Sequence, residues 1–124
     1  MLAGAPKEPD LMILNADIER VNPTTAVVCL AGRMTLGMRL REIEATIGDL
    51  SDNGVQKLVV DLSGIEFADS AGLGFIMFLH GKMKTAGGQL RLVTPGPRLL
   101  EMFKMTHTDS ILAIDPDMAS ALAS

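Results

Sequence analysis

The sequence predicts a single α/β domain: a mixed central sheet with crossover helices. Three observations point to it. Short β-forming runs alternate with longer segments of helical period. The length of 124 residues suits one hydrophobic core. Leu58, Val59, Val60 and Leu62 form a nearly continuous apolar run, as in a strand covered on more than one side. The expected order is β-β-α-β-α-β-α-β, with room for a brief terminal helix. The domain is expected over residues 11–118, between a flexible N-terminal segment (1–10) and a flexible C-terminal tail (119–124).

The first strand is expected at residues 11–14, around Ile13 and Leu14. The second is expected at 26–30, after the Asn22-Pro23 turn signal, with Val27 and Val28 as β-formers. The two form a candidate hairpin. From Thr35 the period changes. Leu36, Leu40, Ile43, Ile47 and Leu50 recur at helical spacing, which predicts a helix over 35–50 with Leu36, Leu40, Ile43 and Ile47 buried. Ser51-Asp52-Asn53-Gly54 ends it.

The third strand is read at 57–62, broken by Ser63-Gly64 and parallel to the second. A helix then opens at Asp69-Ser70 and runs to Thr85, stopped by Gly87-Gly88. The fourth strand is expected at 89–93. Pro97 suits the first position of a helix reaching Met105. The last strand is read at 111–114, and Asp115-Pro116-Asp117 caps a brief helix through Ala121.

Composition narrows the function. A net charge of −4 with no dense basic cluster argues against nucleic acid as the main ligand. With 4 Phe and no Trp or Tyr, there are few aromatic platforms for stacking bases. Residues 1–10 hold no apolar signal core, and the longest apolar stretch, 71–79, is too short to cross a bilayer. A cytoplasmic location is therefore expected. The single cysteine, Cys29, reads as a buried strand residue.

His80 reads as a packed or rim residue and His107 as a loop residue, without zinc-ligand spacing. Asp61, Glu66 and Asp69 lack the signs of a cleft that acid–base chemistry requires. No metal, no cofactor and no enzymatic turnover are expected.

The stretch Phe67-Ala68-Asp69-Ser70-Ala71-Gly72-Leu73-Gly74 is the most informative. Asp69 or Ser70 can cap the helix. Gly72 and Gly74 cost helix stability, so each implies close packing or a backbone that a partner approaches. Gly72-Leu73-Gly74 lacks the further residues of a nucleotide-binding loop. Ser70 is a candidate phosphoacceptor, since a phosphate would lie beside unpaired N–H groups at a helix start. Phe75, Phe78 and Leu79 form a second apolar stripe. It either packs on a neighbouring helix or leaves an exposed patch beside Ser70.

Preceded by Val59-Val60-Asp61-Leu62-Ser63-Gly64-Ile65, this stretch closely resembles the signature of the STAS domain, named for sulfate transporters and anti-sigma factor antagonists. The resemblance extends over about residues 11–114. It implies a stand-alone bacterial anti-sigma factor antagonist. Such a protein binds an anti-sigma serine kinase of the GHKL type and frees its sigma factor. The kinase would use ATP to phosphorylate Ser70, and a metal-dependent phosphatase of the PP2C type would restore binding. Asp69 would shape the phosphoacceptor site, and Gly72 and Gly74 would allow close approach. Ala71, Leu73, Phe75 and Phe78 complete the expected partner-binding set.

Two departures stand out. Residues 32–37 do not read like the acidic loop of well-studied members, and Ala71 stands where many carry a second hydroxyl. The alternative is a non-catalytic scaffold or accessory subunit of a stressosome-like or lipid-transport assembly.

Overall fold

The computed structural model describes residues 10–124; most of the segment expected to be flexible, 1–10, lies outside them. The elements are β1 (Asn15–Asn22), β2 (Thr25–Met34), α1 (Met38–Asp52), β3 (Lys57–Ala68), α2 (Ser70–Thr85), β4 (Gln89–Val93), α3 (Pro97–Met105), a 3-10 turn (Thr108–Ser110), β5 (Ala113–Asp115) and α4 (Met118–Ala123).

The five strands lie side by side in chain order. β1 is antiparallel to β2, and every later pair is parallel. Crossovers between adjacent parallel strands are right-handed, so successive helices stack on one face. The main core accordingly joins Ala26, Val28, Leu58, Val60, Leu90 and Leu92 of the sheet to Ile43 and Ile47 of α1, Phe75, Ile76 and Leu79 of α2, and Phe103 of α3. The opposite face has a smaller cluster, in which Ala121 of α4 covers Val59 and Val93.

The expected α/β class, the parallel β2–β3 pair and the bounds of α2, β4 and α3 match the structure. Several expectations are corrected. The first strand is not 11–14; it is Asn15–Asn22. It is an edge strand with one face open, where Asp17 and Glu19 point to solvent and Ala16 and Ile18 pack inward. Such alternation gives a weaker apolar signal than the run before it. The hairpin turn is therefore tight, with Asn22 Oδ1 accepting the Thr24 N–H at 2.9 Å.

The first helix starts at Met38, with Gly37 as its N-cap. Leu36, expected in the core, is thus outside the helix and exposed. Ser63-Gly64 bulges β3 rather than ending it. A Cβ on Gly64 would come within 2.8 Å of the Leu30 carbonyl oxygen, so glycine keeps β2 and β3 in contact through the irregularity.

β5 is shorter than expected, and Ile111 is exposed. The expected tail, 119–124, is mostly helix. Asp117 caps α4, and the Lys57 ammonium donates to the Leu122 carbonyl at 2.9 Å. Cys29 is exposed, because it points to the sheet face opposite the helices. Partial desolvation of the sulfur pushes its thiol pKa up, and the Asp61, Asp17 and Glu19 carboxylates push it further, which disfavours the nucleophilic thiolate.

Candidate functional site

The parallel topology places the starts of α1, α2 and α3 at one end of the sheet, where β2 and β3 run out. Asp69 joins β3 to α2 and is the N-cap; Ser70 is the first helical residue. Asp69 Oδ1 accepts the Ala71 N–H at 2.9 Å and the Gly72 N–H at 3.0 Å. Its main-chain oxygen accepts the Leu73 N–H at 3.2 Å. Asp69 Oδ2 reaches across to accept the Leu36 N–H at 3.0 Å.

One carboxylate therefore caps α2 and ties down the loop before α1. Donation from Leu36 is the largest cause holding the Asp69 pKa below its ordinary value; burial works against it, and the amides of Gly72 and Ala71 add to it.

This corrects one expectation. The helix-start N–H groups of Ala71, Gly72 and Leu73 already have acceptors, so they are not open to a phosphate on Ser70. The Ser70 side chain is exposed, and a phosphate there would project into solvent beside the Asp69 charge.

The two glycines divide by role. A Cβ on Gly72 would lie 2.4 Å from the Met34 carbonyl oxygen, so this glycine seats α2 against the end of β2. Gly74 has nothing within 4 Å of the same position and is exposed. Ser70, Gly74 and Phe78, spaced four apart, form the solvent stripe of α2. Phe75 does not belong to that surface: it is buried, so its side chain has no direct route to a partner. Ala71 and Leu73 are half-buried against the core. Phe78 is 43% exposed, but its ring rests near Gly48 of α1, about 12 Å along the helix from Ser70.

Sequence reasoning missed the apolar rim. Leu36 is 70% exposed, Met38 79% and Phe67 39%, and all three lie at the end of the sheet that carries Ser70. The guanidinium of Arg33 sits 4.5 Å from the centre of the Phe67 ring. Beyond Phe67, a cavity of about 410 Å³ opens between the end of β3 and the start of α3, lined by Ile65, Ala68, Arg98, Leu99 and Met102 among others. Leu36 was hidden by its spacing, which matches the α1 face. Phe67 carried a readable signal, an aromatic just before the Asp-Ser step.

Asp61 lies in the paired part of β3, Glu66 lines the cavity and Asp69 caps α2. Among the described residues there is no group of three or more side chains able to hold a metal ion, and no helix is long and apolar enough to cross a membrane.

Comparison with known proteins agrees with this architecture. BtrV of Bordetella bronchiseptica, provisionally assigned as an anti-sigma factor antagonist, is 25% identical over 97 residues, covering 78% of this chain and 83% of BtrV. A crystal structure of an anti-sigma factor antagonist from Mycobacterium paratuberculosis superimposes with a TM-score of 0.74 at 25% identity, over 89% of this chain and 92% of that one. The Bacillus cell fate determinant SpoIIAA in its phosphorylated form shares the fold, with a TM-score of 0.68 at 19% identity over 82% of this chain and 92% of that one. The family model for the STAS domain matches residues 17–121, from β1 through most of α4, and the chain belongs to that family.

Proposed function

We propose that the chain is an anti-sigma factor antagonist that binds an anti-sigma serine kinase of the GHKL type, releases the sigma factor held there, and is switched off by phosphorylation of Ser70. The observation that carries this reading is the placement of Ser70. It lies exposed at the first position of α2, with the neighbouring amides already taken by Asp69. A phosphate would therefore change the surface and leave the cap in place. It adds about −1.5 to −2 charges at neutral pH. At a close interface that charge must lose water, at a cost of several kcal/mol if no counter-charge meets it.

The names of the relatives support an anti-sigma factor as partner. SpoIIAA, which shares the fold, is known in unphosphorylated and phosphorylated forms. On this reading a phosphatase of the PP2C type restores binding. The chain acts in the cytoplasm by stoichiometric binding, with no turnover of its own. The test is to incubate wild type and Ser70→Ala with candidate kinase and ATP. Wild type is expected to incorporate phosphate and Ser70→Ala none; equal labelling would place the phosphosite elsewhere.

A further inference from the structure

The distribution of charge around Ser70 runs against that of the whole chain. Net charge is −4, yet Arg33, Arg39, Arg41 and Arg98, four of the six arginines, gather at the end of β2 and in the first turns of α1 and α3. No first turn of α1, α2 or α3 holds an acidic residue. The lysines behave in the opposite way: Lys82, Lys84 and Lys104 lie in the last turns of α2 and α3, where the helix dipole favours cations. Arginine in a first turn is disfavoured by the same dipole, so local helix stability does not explain Arg41 or Arg98.

Arg39 has a structural partner, its Nε donating to the Leu14 carbonyl at 2.8 Å. The ion pairs among the described residues are Lys82–Asp52 and Arg91–Asp115, which leaves Arg33, Arg41 and Arg98 without a carboxylate. Both oxygens of Asp69 are engaged by main-chain N–H groups, and Glu66 is the one carboxylate lining the cavity.

We infer that the surface docking here belongs to a protein partner with an apolar anchor for the cavity between β3 and α3, flanked by carboxylates that meet Arg33 and Arg98. The cavity supplies the apolar walls Ile65, Phe67, Leu99 and Met102. Arg33, spread over the Phe67 ring, and Arg98, on the cavity wall, supply the charges. The inference rests on reading this end as the docking face, and it gives the switch its sign. Phosphate on Ser70 repels an acidic partner, whereas a basic partner would be drawn closer.

The test uses the ¹⁵N-labelled full chain and two synthetic probes, an acetylated and amidated peptide alternating Leu and Glu and its Leu–Lys counterpart. The Leu–Glu peptide is expected to shift amides at 65–70 and 96–102, with about tenfold weaker binding to an Arg33→Glu/Arg98→Glu double variant. The melting midpoint of that variant should change little, since the gain of an acidic residue at position 98 near the helix start offsets the lost Arg33–Phe67 contact. No localised shifts, or an equal response to the Leu–Lys peptide, would overturn the inference. The peptide result is independent of Ser70 labelling, so failure of the kinase reading and failure of this one are told apart.

Discussion

The two ends of the sheet are built on opposite terms. At the end where the parallel strands begin, polar groups are met from within. The Thr24 carbonyl accepts the N–H groups of Gln56 and Lys57, and the Gln56 carbonyl accepts that of Gln89 at 2.7 Å. The Lys57 ammonium closes on the last carbonyls of α4. At the end where they finish, β3 pairs with β4 only as far as Asp61–Val93, yet with β2 as far as Met34–Ala68. Leu36, Met38 and Phe67 are left in water there. One end closes main chain on main chain; the other sets the Asp69 and Gly72 contacts beside exposed Leu36, Met38 and Phe67.

That contrast can be broken by substitution. Phe75 and Phe78 are three residues apart on α2, one in the core and one on the solvent stripe. Phe75→Ala should cost about 3–5 kcal/mol in denaturant unfolding, and Phe78→Ala less than about 1 kcal/mol. Similar values would show that the two faces of α2 are not divided as described.

The glycine pair sharpens the same division. Gly72→Ala forces a methyl toward the Met34 carbonyl and should destabilise by about 1–3 kcal/mol. Gly74→Ala meets open space and should be neutral or stabilise by up to about 1 kcal/mol. A loss at Gly74 equal to that at Gly72 would mean both glycines serve packing.

Asp69 ties the two kinds of surface together. Asp69→Ala should cost about 0.5–2 kcal/mol through the lost cap. The folded state lowers the Asp69 pKa, so its contribution is present above the unfolded carboxylate range and fades as pH falls through the folded value. Asp115, held low mainly by its hydrogen bond from Arg91, adds to the same acid limb. Asp69→Asn should flatten part of the loss of stability on acidification, as read from melting midpoints across pH; an unchanged acid limb would remove Asp69 from it.

The smallest effect on stability belongs to the rim. Leu36→Ala and Met38→Ala should move unfolding by less than about 0.5 kcal/mol while weakening partner binding. A large loss of stability would return Leu36 to the core.

Elements with a single dominant signal were legible in the sequence. α2, β4 and α3 have clear caps and breakers, and Asp69, Gly87 and Pro97 mark their bounds. The edge strand β1 was not, because most of its residues face water. The continuation of β3 past Ser63-Gly64 was not either, since a bulge and a turn use the same residue types and only the neighbouring strand decides between them. At the site, the Asp-Ser step was visible, but the Leu36–Asp69 contact spans 33 positions and follows no local pattern. The burial of Phe75 and the exposure of Cys29 depend on which sheet face the helices cover, which a run of apolar residues does not encode.

The central claim is that phosphate on Ser70 acts on the docking surface and not on the fold. The most direct measurement is the affinity of the unphosphorylated and the stoichiometrically phosphorylated chain for the same anti-sigma kinase, taken alongside their melting midpoints. The account predicts affinity weaker by about tenfold or more, with the midpoint essentially unchanged. Equal affinity after confirmed phosphorylation of Ser70 would contradict it and favour the scaffold alternative.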